Sequence, residues 1–200
     1  RFDPANNRFR NFAESEGFPG KIVSSFAEQR DGTLWFGFYE GGLARFKNNQ
    51  FSTVSSVDLP GGVITDLLID HADRLWMSSS GGGVRFVENP GADSLNFTRL
   101  TTGEGLSSNN VRTLTEDKLG NIYLGSVRGI DRISASTRAI KHFSVADGLA
   151  GDFVVDSHCD RNGVLWFATT NGVSRLVPAV EESYAPPPIR LGGLRIAGVS

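Results

Sequence analysis

The chain has 200 residues, 39% hydrophobic and 21% charged, with a formal net charge of -2. That length holds one domain of ordinary size, and there is no basic excess of the kind a nucleic-acid surface needs. No apolar run approaches the roughly 18 residues of a membrane span, and a lone cysteine, Cys159, rules out an intrachain disulfide or a Cys-based zinc site.

The 24 glycines and 14 phenylalanines point to many short strands joined by tight turns. The first segment, RFDPANNRF, starts in mid-pattern, so the chain reads as an excised piece of a longer one. Residues 8–12, RFRNF, read as the last strand of a four-stranded unit. Next comes a β-rich stretch, GKIVSSFAEQ, then the turn RDGT, the strand LWFG, a glycine turn and the strand GLARF. Asp-Gly supplies the positive φ that a tight hairpin requires.

This order then recurs. The stretches GVITDLLID, NVRTLTED and DFVVDSHCD each lead through a turn to LWMS, IYLG and LWFA, and then to GGVRF, GIDRI and GVSRL. The aromatics Trp35, Trp76, Tyr123 and Trp166 align at spacings of 41, 47 and 43 residues. Two positions after each stands a small residue: Gly37, Ser78, Gly125 or Ala168. Twelve positions before each stands Val23, Ile64, Val111 or Val154. A more variable fourth strand falls near Phe51, Phe97 and Phe143. Four antiparallel strands per 40 to 45 residues is the period of a β-propeller blade.

The expected fold is therefore all-β, a propeller with four blades' worth of sequence in residues 1–177 and repeats near 8–47, 50–87, 95–134 and 139–177. The Trp column is expected between blades, with the small residue where neighbouring sheets approach closely. The last repeat shows three strands, and the strand at 8–12 could complete it and close a ring. A four-bladed ring, a pair of copies making eight blades and a sector of a larger ring all remain open. Residues 178–188 read as a Pro-rich linker, and 189–200 as the start of a following β-sandwich.

The segments DGTLWFGFYEGGLARF, ADRLWMSSSGGGVRF, LGNIYLGSVRGIDRI and RNGVLWFATTNGVSRL resemble the two-component regulator propeller repeat. The tail PPPIRLGGLRIAG is similar to the start of the immunoglobulin-like domain that follows such propellers. The resemblance implies a non-catalytic, periplasmic or extracellular sensor segment of a bacterial signalling protein, with a histidine kinase or other output domain elsewhere in the parent. It also implies an oligosaccharide-like ligand and contact with the downstream immunoglobulin-like domain. The other readings are a propeller that mediates protein interaction or self-association, and a propeller lyase or hydrolase.

The chain gives little sign of catalysis. His71, His142 and His158 occupy different repeat positions, and neighbours in the strand His158-Cys159-Asp160 point to opposite faces. No catalytic residue, metal or cofactor is expected, nor any nucleic-acid or membrane contact for this segment. The acidic strand ends Glu28, Asp70, Asp117 and Asp160 are read as turn caps. A ligand site is expected on the face formed by the turns between second and third strands and by the blade connections. The residues there that break the repeat are Tyr39, Glu40, Arg128 and Asn171 in the turns, with Asn109, Asn110, Asp152 and Phe153 in the connections. Amides, Arg and carboxylates bind hydroxyls, and aromatic rings stack on sugars.

Overall fold

The structure is a computed structural model that describes residues 2–4, 7–55 and 58–179. Residues 180–200, which include most of the expected linker and all of the expected sandwich start, lie outside the described residues.

Blade one consists of β3 (Val23–Glu28), β4 (Leu34–Phe38), β5 (Leu43–Lys47) and β6 (Gln50–Val54). Blade two consists of β7 (Ile64–Ile69), β8 (Leu75–Ser79), β9 (Val84–Val87) and β10 (Thr98–Leu100). Blade three consists of β11 (Val111–Glu116), β12 (Ile122–Ser126), β13 (Gly129–Ile133) and β14 (Ile140–Phe143). Blade four has three described strands, β15 (Val154–Cys159), β16 (Leu165–Thr169) and β17 (Gly172–Leu176). Every sheet is an antiparallel meander. The first strands β3, β7, β11 and β15 pack side by side, so they are the inner strands of a propeller.

Three apolar seams join the blades. Trp35 and Leu43 of blade one pack on Ile64, Leu67, Leu75 and Met77 of blade two. Trp76, Val84 and Phe86 of blade two pack on Val111, Leu114, Ile122 and Leu124. Tyr123 and Ile130 of blade three pack on Val154, Leu165 and Phe167. The small-residue column marks the closest approach: a Cβ on Gly125 would lie 2.6 Å from Thr113 Cγ2 and 2.7 Å from Val154 Cγ1.

The aromatic column also has a polar tie. The Trp76 indole N–H donates to Asp70 Oδ2 at 2.7 Å, the Tyr123 hydroxyl to Asp117 Oδ2 at 3.1 Å and Trp166 Nε1 to Asp160 Oδ2 at 3.1 Å. The other oxygen of each carboxylate accepts two backbone N–H groups of the turn, from Ala72 and Arg74, Leu119 and Asn121, or Asn162 and Val164. The acids are thus turn caps that also take the polar hydrogen of the aromatic side chain, buried at Trp76 and Tyr123, which accounts for Trp or Tyr at this position. In blade one the equivalent residue is Gln29, one place after Glu28; its Oε1 accepts from Trp35 Nε1 at 2.9 Å.

Ring closure by the N-terminal strand is not what the structure shows. β2 (Arg8–Phe9) pairs with β1 (Phe2–Asp3), while β15, β16 and β17 form a sheet of three. The pairing Phe2↔Phe9 matches Ile133↔Ile140 between the outer strands of blade three. β1 and β2 therefore form a two-stranded sheet of their own, and among the described residues no fourth strand completes blade four. Among the described residues the blades pack in chain order, and blades one and four share no comparable interface.

Candidate functional site

The turns between second and third strands are tied to the connections before the inner strands by backbone hydrogen bonds, which places both on one face. Tyr39 N–H donates to Ile22 O, Val127 N–H to Asn110 O, Gly129 N–H to Asp152 O and Thr170 N–H to Phe153 O. All eight residues expected at the site lie in these turns and connections. Asn110, Arg128, Asp152, Phe153 and Asn171 gather at blades three and four, whereas Tyr39 and Glu40 lie on blade one.

Their side chains divide into two groups. Asn109 Oδ1 accepts the Thr102 N–H at 2.8 Å, and Asp152 Oδ1 accepts the Val145 N–H at 2.8 Å. Both brace the short 3-10 turns 102–104 and 145–147 that lead into a blade. Those turns carry reciprocal caps, Thr101 with Glu104 and Ser144 with Asp147, and end at Gly105 and Gly148 with φ of 106° and 98°. This accounts for the Gly-Leu columns in the sequence. Asn109 and Asp152 thus hold the scaffold. Tyr39, Glu40, Arg128 and Asn171 present exposed side chains.

Two polar atoms without partners lie where the inner strand of blade three meets blade four. Asn110 Oδ1 and Arg112 Nε are both buried without a hydrogen-bond partner. The Arg112 guanidinium lies 5.3 Å over the ring of Phe153, which is itself partly exposed. Arg112 sits at a β-bulge where blades one and two carry Ser24 and Thr65, whose hydroxyls donate to Ile64 O and Val111 O of the next blade. Arg112 was missed as a candidate, although a cation in that column breaks the repeat as plainly as the loop residues do.

A second polar cluster lies one bulge away. Asp66 Oδ2 accepts from Leu114 N–H at 2.8 Å and from the Thr113 hydroxyl at 3.3 Å, and Thr113 Oγ1 is 2.7 Å from Ser157 Oγ. Burial pushes the Asp66 carboxyl up to about 6, against the lowering effect of these donors. Among the described residues no general acid–base pair with a nucleophile assembles around the histidines. His71 pairs with Glu116, His142 with Asp131, and burial raises the Cys159 thiol beside His158. Among the described residues no group of three or more His, Cys, Asp or Glu gathers to hold a metal, and no helix is long and apolar enough to cross a membrane.

A hollow of about 630 Å³ opens on the far face of blade one, lined by Phe12, Phe18, Phe26, Phe36, Phe46 and Phe51 among others. None of the expected site residues lines it.

The fold and its column pattern define a β-propeller sector. Residues 105–128 and 148–171 match the family described as two component regulator propeller. No curated protein sequence matches the chain. Among solved structures it is similar to the extracellular domain of BT3049 from B. thetaiotaomicron, described as a hybrid two component system. The TM-score is 0.75 at 19% identity, over 86% of this chain and 24% of that one. It is also similar to PorZ of Porphyromonas gingivalis, a surface component of the type-IX secretion system, with a TM-score of 0.64 at 17% identity over 86% and 28% of the two chains. Virginiamycin B lyase from Staphylococcus aureus follows with a TM-score of 0.60 at 12% identity, over 79% and 57%. The chain spans about a quarter of the BT3049 domain.

Proposed function

We propose that this chain is a sector of the extracytoplasmic sensor propeller of a bacterial two-component signalling protein, and that it binds an oligosaccharide-like ligand or relays its binding. The observation that carries the reading is the arrangement of Asn110 Oδ1 and Arg112 Nε, buried and unpartnered, beside the partly exposed Phe153. An amide, a cation and an exposed ring suit sugar hydroxyls and a sugar face, and a buried polar atom gains most when a ligand supplies its partner. Arg128 and Asn171 offer further hydrogen-bonding groups on the same face. The regulator-type repeats and the extracellular two-component relative support a sensor role.

The role is non-catalytic in this reading, because the three histidines lie on different blades rather than converging on one cleft, and two of them, His71 and His142, pair with carboxylates. The likeness to a lyase is one of fold alone.

A thermal-shift titration with plant and bacterial oligosaccharides tests the proposal. A true ligand at a hundredfold excess over its Kd stabilises by about 2.7 kcal/mol. The shift should vanish in Phe153→Ala and weaken in Arg128→Ala. A flat response across glycan classes would instead favour a propeller that mediates protein contacts.

A further inference from the structure

We infer that the ligand carries an acidic sugar, a uronic acid residue whose carboxylate is taken by the Arg112 guanidinium while one of its hydroxyls donates to Asn110 Oδ1. The inference rests on the oligosaccharide reading and narrows its ligand. Arg74 and Arg85, partly buried like Arg112, are supplied with acceptors by the fold. Arg74 pairs with Asp70 at 2.6 Å, and Arg85 donates to the carbonyls of Asp58, Gly82 and Val84. No carboxylate or carbonyl among the described residues accepts from Arg112; its Nε is buried and its guanidinium rests 5.3 Å over the Phe153 ring.

The repeat shows that a cation is not needed here for folding. Blades one and two carry Ser24 and Thr65 in this column, with hydroxyls bonded to the next inner strand, and blade four carries Val155. A guanidinium without an acceptor costs stability that a small hydroxyl does not. Its Nε–H and a neighbouring Nη–H form a planar fork matched to a carboxylate. Asn110 Oδ1 has the opposite requirement, a donor, which a sugar hydroxyl supplies and a carboxylate does not. Asn110 and Arg112 stand on either side of Val111, about 7 Å apart along the strand, so one ring can serve both. A simple anion would leave Asn110 unanswered, and a neutral sugar would leave Arg112 without a counter-charge. Arg128, in the turn whose Val127 N–H donates to Asn110 O, adds an exposed second cation. The one carboxylate in the connections 107–110 and 150–153 is Asp152, and its Oδ1 is held by the Val145 N–H.

Titration of the whole chain with paired probes tests the inference. Oligogalacturonate and oligoglucuronate are each compared with their methyl esters, which keep the ring and its hydroxyls and remove the charge. An acid should bind about tenfold or more tightly than its ester. Arg112→Thr, which installs the residue of blade two, should erase that difference and spare the affinity for the ester. Phe153→Ala should weaken both. Without ligand, Arg112→Thr should melt no lower than the parent; a lower melting temperature would show that the guanidinium serves the joint itself and would overturn the inference. Esters or neutral oligosaccharides binding as well as the acids would also overturn it, while leaving the oligosaccharide reading in place. No binding by any acidic or neutral probe would overturn both. An acid preference that survives Arg112→Thr would overturn the assignment to Arg112.

Discussion

Trp76 and Trp166 occupy the same column, donate to equivalent carboxylates and lie on equivalent strands, yet one is sealed and the other is open to solvent. The difference comes from the neighbour, not from the blade. A blade makes its own hydrogen-bond ladder and its own turn cap, but the apolar contribution of its aromatic is realised only when another sheet covers it. Stability in this molecule therefore resides in the joints.

Three measurements would break or sharpen that contrast. The largest effect is expected for Trp76→Ala, at about 3–5 kcal/mol in denaturant unfolding, against about 1 kcal/mol or less for Trp166→Ala. Equal losses would mean that the joints are not where stability lies. The second concerns pH. The Asp66 carboxyl titrates near 6 in the fold, above the ordinary aspartate value of 3.8. Between those two values the folded chain holds a proton that the unfolded chain has released, so this group's contribution to stability falls as pH rises from about 4 to 6. The loss amounts to about 3 kcal/mol at neutral pH. Asp66→Asn should flatten that part of the stability–pH curve, and an unchanged curve would refute the assignment. The smallest contrast is in the small-residue column. Gly125→Ala pushes a methyl into Thr113 and Val154 and should cost about 1–3 kcal/mol, whereas Ala168→Gly on the open face should change stability by about 1 kcal/mol or less.

Much of this was legible in the sequence because the repeat reads itself. Aligned on Trp35, Trp76, Tyr123 and Trp166, the columns reveal strand order, turn positions and the close-packed small residue. The carboxylate–indole bond was hidden by one residue: Glu28 looks like the acid of blade one, but the functional counterpart of Asp70 is Gln29. The pairing of β1 with β2 was also hidden, because residues 8–12 look the same whether they close the last blade or end an earlier one. Partner choice between strands is a non-local property, and a lone fourth strand does not carry it. On the candidate face, turns and connections were located correctly from repeat-breaking residues. What a side chain does there was not: Asn109 and Asp152 turned out to brace 3-10 turns, and Arg112 was passed over because it lies inside a strand.

The bulge in each inner strand gives the row of blades a direction. Asp66 reaches forward to the following blade, and blade one shows the opposite hand of the joint: Ser25 Oγ, in the column of Thr113, is buried without a partner, and Phe26, in the column of Leu114, is 71% exposed. The tie between blades two and three is thus directional, with the acceptor on the earlier blade and the donors on the later one.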